Sequence, residues 1–415
     1  MIRTTLIHSV LMFAFILPSL ARAEEKEEPH WIKKAGTAID QYLDFSAVFT
    51  GGVGYMGEDS LNVPQYSELY KTELKNDGIL GFNPERRDRQ LQFQMQQLKL
   101  TVSGHVDRFA RAELSLTMRD GAPQIYEGYV ESLALPWGLR AKGGQFLVDF
   151  GHENGSHFIE TSPFVDLSVS QRLLVGEQQL SLLGAGLGWK LPVRWNSELM
   201  VSVGIPRSRS FAIQTVPGLG DHNDLIASAR FNNVFWCNQS LRYQIGVSYA
   251  MGPNTQIKEI AAPKDQRGML AGADMELRFV DRSSPRYIAG RLESIYRRST
   301  VNFASSDNVV TQDLGLTAAV DARVLPWLQT SARFDYLGLL HDQSGDWPVP
   351  SLNYPKVYAA TPVTWAMATA LSVHVSENHR WRVQYQVEKP VDTTIYIHSV
   401  FLQAQFALGR KSVST

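Results

Sequence analysis

The sequence predicts an all-β fold, a transmembrane antiparallel β-barrel of about 16 strands with no plug domain. Three observations predict it. Apolar and polar residues alternate with period two over stretches of about ten residues. The joints between these stretches alternate between short and long. An apolar segment with the form of a secretory signal precedes them all.

The signal comes first in the chain. Arg3 gives a positive start, Leu6 to Leu20 is apolar, and Ala21-Arg22-Ala23 has the small-x-small form of a cleavage site. Residues 1–23 therefore read as a signal peptide. No Cys follows the site, which argues against a lipoprotein. Residues 24–43 read as a short periplasmic leader with one or two helical turns (Trp31, Ile32, Ala35 and Ile39 near one face). Residues 44–409 read as the barrel and 410–415 as a C-terminal tail.

Composition narrows the function classes. The 415 residues carry a formal net charge of -1. Without Arg3 and Arg22 the mature chain of 392 residues (415 minus 23) carries -3. No basic block stands out, so nucleic acid is not an expected partner. Beyond the signal there is no apolar run long enough for a transmembrane helix. Cys237 is the only cysteine, which leaves no internal disulfide and no cysteine metal site, and no cofactor is expected.

The alternation is clearest in three places. In residues 111–119, Ala112, Leu114, Leu116 and Met118 take one face, and Arg111, Glu113, Ser115, Thr117 and Arg119 take the other. In residues 272–279, Ala273, Met275, Leu277 and Phe279 oppose Asp274, Glu276 and Arg278. In residues 381–388, Trp381, Val383, Tyr385 and Val387 oppose Arg382, Gln384, Gln386 and Glu388. A soluble sandwich also alternates. Full charges of both signs on the polar face suit a wet, narrow lumen better.

Strands are expected near 44–56, 91–104, 109–119, 124–135, 139–149, 180–191, 195–204, 225–233, 240–251, 268–280, 286–298, 310–323, 327–340, 363–375, 380–388 and 394–409. Joints after even strands are short, as at His105 to Arg108, Pro136-Trp137-Gly138, Asp281 to Pro285 and Val324 to Pro326. Most joints after odd strands are long: 57–90, 150–179, 205–224, 252–267, 299–309 and 341–362. This places the short turns in the periplasm and the long loops outside. Trp137, Trp189, Trp195, Trp236, Trp327 and Trp381 lie beside the short turns, where an aromatic girdle sits.

The stretch from Glu127 to Glu177 carries a resemblance. Glu127-Gly-Tyr-Val-Glu-Ser-Leu-Ala-Leu-Pro136, Lys142-Gly-Gly-Gln-Phe146, Phe150-Gly151, Glu153-Asn154, His157, Pro163-Phe164-Val165-Asp166 and Gly176-Glu177 resemble a group of porin-like outer-membrane barrels. That group is similar to the phosphate-selective porins, and some members carry the label of zinc-regulated, TonB-linked outer-membrane receptors. The resemblance implies a β-barrel channel for a small solute or a metal. The chain departs from the pattern in ending on Phe406-Ala-Leu-Gly409 plus six residues, not on an aromatic, and in having Asp149 where the group has Pro.

Alternation assigns the lumen. Lys99, Arg111, Arg140, Lys142, Arg278, Arg333 and Arg382 are expected to line it, with Lys190, Arg230, Arg242, Arg291 and Arg323. Glu113, Glu127, Glu131, Asp274, Glu276 and Asp335 are expected to join them, with Glu198, Glu293, Asp313, Asp321 and Glu388. The signs nearly balance, so a one-sided phosphate rail is not expected. Cross-strand pairing that simply holds the wall accounts for most of these charges.

The loop 151–178 is expected to fold into the barrel as a constriction bearing His152, Glu153, His157, Glu160 and Asp166. Its apolar residues Phe158, Ile159, Phe164, Val165 and Leu167 need a surface to pack on. The receiving strand offers Gly184, Gly186 and Gly188 on its lumen face, a row without side chains. Its acids are expected to favour cations mildly. His152, Glu153, His157 and Glu160 are weak candidates for metal ligation, because imidazole and carboxylate suit zinc. The preferred function is a porin-like channel for small hydrophilic solutes or ions. Uptake of a metal ion or chelate is the alternative, and a lipid hydrolase is a weaker one, since no Gly-x-Ser-x-Gly elbow occurs. Expected partners are outer-membrane lipids, the solute, the barrel assembly machinery and further copies of the chain, in a Gram-negative outer membrane.

Overall fold

The computed structural model describes residues 43–56, 91–119, 122–133, 135–155, 157–176, 179–207, 225–253, 267–303, 306–339, 364–390 and 396–409. The expected signal 1–23, the tail 410–415 and loops 57–90 and 341–362 lie outside them, as does the leader apart from its last residue.

Sixteen strands follow one another: β1 (Leu43–Met56), β2 (Leu91–His105), β3 (Ala110–Arg119), β4 (Ala122–Ser132), β5 (Leu139–Leu147), β6 (Ser181–Lys190), β7 (Asn196–Pro206) and β8 (Ile226–Trp236). Then come β9 (Leu241–Pro253), β10 (Arg267–Val280), β11 (Tyr287–Phe303), β12 (Ser306–Leu325), β13 (Leu328–Leu339), β14 (Thr364–Ser376), β15 (His379–Pro390) and β16 (Ile397–Gly409). Each pairs with its sequence neighbours, and β1 pairs antiparallel with β16, from Ser46 opposite Gly409 to Met56 opposite Ser399. The sheet closes on itself, so no backbone edge is left without a partner strand.

The period-two pattern gives the barrel its two faces. On β10, Met275, Leu277 and Phe279 point outward and are exposed, while Asp274 and Glu276 between them are buried inside. Large apolar side chains cover the outer face all round, as a hydrocarbon solvent requires. All six expected girdle tryptophans are exposed on the outer face or in the short turns. At the Pro136–Gly138 turn, Trp137 and Gly138 both take positive φ (59° and 73°), the geometry that joins antiparallel strands in two residues.

Two local departures matter. The expected long joint at 299–309 is largely strand, with Thr300 opposite Val310 and Asn302 opposite Asn308. Its Thr and Val residues are good strand formers and extend the hairpin. On β4, Ser115 faces Glu127 while Leu116 faces Ile125, so Tyr126 is an extra, bulged residue. The bulge turns the Tyr126 ring inward beside Glu127.

Between β5 and β6 the chain leaves the wall and enters the barrel. This strap contains a single-turn helix, α1 (Phe158–Thr161), and a π turn at Gln171–Val175. It supplies the apolar core. Val148, Phe150, Val169, Leu174, Val175 and Leu180 pack on Leu270, Ile295, Leu337 and Ala366 of the inner wall. Phe158 and Phe164 pack on Ala319, Ala368 and Ala370, and Val165 packs on Phe401. These wall residues stand at inward positions where alternation normally places polar groups.

Candidate functional site

The strap is fixed at its neck by Asn154. Its Nδ2 donates to the carbonyls of Val148 (2.7 Å) and Leu180 (3.1 Å), and its Oδ1 accepts from the Leu180 amide (2.6 Å) and Gln171 Nε2 (3.1 Å). One fully buried amide thus satisfies both limbs of the excursion.

Beyond the neck, the strap is held by side chains from strands around the ring. The Gly151 amide donates to Ser248 Oγ on β9 (3.0 Å) and the His152 amide to Glu293 on β11 (3.1 Å). Ser170 Oγ meets Thr317 Oγ1 on β12 (2.6 Å). On β13, Arg333 donates to Asp166 O (2.8 Å) and Oδ1 (3.1 Å), stacks over the Phe164 ring (4.7 Å) and also holds Asp335 (2.9 Å). On β15, Arg382 donates to the carbonyls of Phe164 (2.5 Å) and Ser162 (2.6 Å), and Arg380 to those of Ser162 (3.3 Å) and Glu160 (3.0 Å). Gln384 accepts from the Val165 amide (2.7 Å), and Arg172 pairs with Glu388 (3.3 Å).

On the β2–β4 wall, Lys99 Nζ lies 2.7 Å from Glu160 and 2.5 Å from His157 Nδ1, and His157 Nε2 lies 2.6 Å from Glu127. Tyr126, placed by the bulge, packs edge-on to His157 and under Lys99, and donates to Gln179 (2.8 Å).

Many of the remaining lumen charges form wall pairs: Arg140 with Glu131 and Glu198, Arg230 with Asp274 (2.7 Å), Arg278 with Glu276 (3.2 Å), Arg291 with Asp321, and Arg297 with Asp313 (2.7 Å), whereas Arg323 donates to the Pro326 carbonyl. Arg111 reaches Glu113 at 3.5 Å. Lys142 Nζ sits 4.7 Å from the Tyr129 ring centroid and 4.8 Å from that of Phe146.

Three expectations need correction. His152, Glu153, His157 and Glu160 do not converge. His152 lies by Arg291 and Glu276, whereas Glu153 accepts from Ser168 (2.8 Å). Among the described residues one candidate ligand group forms instead, from Glu113, Glu127 and His157, with ligand atoms within 4.8 Å. There Lys99 and Glu127 already occupy both His157 nitrogens, and the ammonium adds a positive charge beside the group. Second, Gly186 and Gly188 do not receive the strap. Phe146, Ser202, Arg140 and Met200 fill the space above them. The strap lies instead against Gly315, where an added Cβ would meet Ser170 and Leu174, and Phe150 lies over Gly272. Third, Glu160 and Asp166 are tied to Lys99 and Arg333, so these acids do not project as free cation attractors.

The sequence pattern assigns Gln384 only to the polar face, and gives no role to Arg380, Thr317 or Tyr126. Arg380 and Gln384 sit in phase with Arg382, and that signal was available. Tyr126 was not accessible, since a one-residue bulge reverses its face.

No family model and no curated relative matches the chain. Several solved structures share its fold. The outer-membrane channel DcaP of Acinetobacter baumannii aligns with a TM-score of 0.57 at 12% identity, over 88% of this chain and 97% of that one. OprB of Pseudomonas putida aligns with a TM-score of 0.54 at 12% identity, over 91% and 97%. An anion-selective porin from Comamonas acidovorans aligns with a TM-score of 0.53 at 9% identity, over 88% and 99%. The TonB-linked label gains nothing from these alignments. At such identities the likeness establishes the fold, and this chain is a closed 16-strand barrel of the porin type.

Proposed function

We propose that the chain is an outer-membrane channel through which small hydrophilic solutes diffuse, narrowed by the strap. One observation carries the reading: guanidinium groups on β3 and β5 stay solvated inside a barrel whose strap is packed on the wall. The strap packs on inner-wall residues of β10 to β16, whereas Arg111 on β3 and Arg140 on β5 keep 40% and 42% of their side chains exposed. A passage lined by solvated guanidinium groups, beside a fixed strap, suits polar solutes. The apolar outer face and the export signal belong to the same reading, with insertion by the barrel assembly machinery and association into a homo-oligomer. The metal-uptake alternative has less to rest on, because Lys99 and Glu127 hold the His157 ring.

Planar-bilayer recording of the refolded full-length chain tests this. Discrete, ohmic conductance steps are expected. Deleting residues 155–172 is expected to raise the step size by about twofold or more while heat-modifiable migration stays that of a folded barrel. A folded barrel that passes no current would overturn the channel reading, and an unchanged step after the deletion would overturn the constriction.

A further inference from the structure

The inner wall has an uneven division of charge that counting residues conceals. In three of its ion pairs the cation is the water-facing partner. Side-chain exposure is 40% against 6% for Arg111 and Glu113, 42% against 21% for Arg140 and Glu131, and 21% against 2% for Arg278 and Glu276. A long guanidinium reaches over a shorter carboxylate, so in each pair the positive group meets more water than its acid does, including Arg140 against its second partner Glu198 (42% against 29%).

Two further cations have no acid at all within 4.0 Å among the described residues. Lys142 is held between the Tyr129 and Phe146 rings, and Arg242 donates to Gln244 (2.6 Å). Arg242 also stands directly opposite Arg278 in the β9–β10 register, an arrangement of like charges that costs stability.

Placement along the axis is uneven too. Arg111, Arg140 and Arg242 are each the second residue after a short turn, and Arg278 and Arg323 each stand two residues before one. The exposed cations therefore form an arc at the short-turn end of the passage. Low-dielectric walls focus the field of such an arc into the opening.

We propose that this arc is an anion-binding subsite, which gives the channel a preference for small anions and takes multivalent carboxylates or inorganic oxyanions from the short-turn side. The proposal rests on the channel reading and names the solute charge that reading leaves open.

The reversal potential of the full-length protein across a KCl gradient tests it. Chloride is expected to permeate at least about twice as readily as potassium. Lys142→Gln with Arg242→Gln is expected to bring that ratio close to one, since neither residue holds an acid whose loss of partner would disturb the wall. Arg297→Gln with Asp313→Asn, a pair toward the long-loop end, is expected to leave it unchanged. A second measurement needs no variant. Citrate is expected to block the KCl current at a concentration about threefold or more lower from the short-turn side. The exposed Cys237, in the turn between β8 and β9, reports that side to a membrane-impermeant thiol reagent. Cation preference in the parent, an unchanged ratio in the double variant, or equal block from both sides would overturn the anion arc and leave the channel standing. A folded barrel without current would overturn the channel reading itself.

Discussion

Arg382 holds the strap without meeting a carboxylate within 4.0 Å among the described residues. It is 1% exposed and spends its donors on the carbonyls of Ser162 and Phe164. Removing the guanidinium would take the donor from the Phe164 carbonyl and leave Ser162 O with the longer bond from Arg380, at about 1–3 kcal/mol for the lost acceptor. Arg382→Met is therefore expected to lower the unfolding midpoint and to add flicker to single-channel records, because the strap loses its seat on β15. The Arg230–Asp274 pair behaves differently. Arg230→Met leaves a buried carboxylate alone and is expected to cost about 3–5 kcal/mol in urea unfolding of the refolded barrel. Combined with Asp274→Leu, the loss is expected to shrink to near zero, which a double-mutant cycle would read. In the turn after β10, hydrogen bonds from Ser283, Ser284 and Arg286 hold the Asp281 carboxyl well below its ordinary range. A depressed folded value stabilises at neutral pH, and the benefit is lost as pH falls through it. The stability deficit of Asp281→Asn is thus expected at about pH 7 and to shrink on acidification below about pH 4.

Among the elements, the strands were legible and the seat of the strap was not. Alternation placed all sixteen strands because each has one face toward an apolar solvent and one toward a polar lumen, so the period survives in the sequence. The inward destination of the strap was legible from its apolar residues, which no water-facing loop would carry. The glycines of β6 point to the wrong seat, because a gap in one strand can be filled by its neighbour, as Phe146 fills the space over Gly186. The better signal was β14, where Ala366, Ala368 and Ala370 replace polar residues at inward positions and alternation fails. Small apolar residues on an inner wall mean that something apolar lies on them. Gly315 tests the corrected seat. A Cβ there would meet the Ser170 side chain and approach Leu174 at 3.0 Å, whereas at Gly290 it would meet nothing within 4 Å. Gly315→Val is expected to lift the π-turn limb, destabilise by about 1–3 kcal/mol and change the conductance step. Gly290→Ala is expected to leave the step as it was.

For the whole molecule, closure joins the two solvents to one sequence period. A register slip of one residue would turn every apolar residue of a strand inward. The ring admits no such slip, because each strand is paired on both sides and β1 is locked to β16. What remains variable is depth. Val247 is half exposed at the middle of β9, and Val375 is 61% exposed beside the short turn that ends β14. Both face outward, and Val247 pairs with Phe231 and Ala273 on that face. If the outer face meets hydrocarbon, an arginine at Val247 lies near the midplane and costs about 2–4 kcal/mol, while at Val375 it reaches the interface and costs about 0–1 kcal/mol. If the barrel stood in water, the two substitutions would cost alike and little. Folding yields of Val247→Arg and Val375→Arg into lipid vesicles are therefore expected to differ, with Val375→Arg close to the parent and Val247→Arg strongly reduced. The difference is expected to narrow in short-chain lipid, where a thinner hydrocarbon layer brings the interface nearer to Val247. Equal yields in every bilayer would mean that the apolar belt does not contact lipid tails.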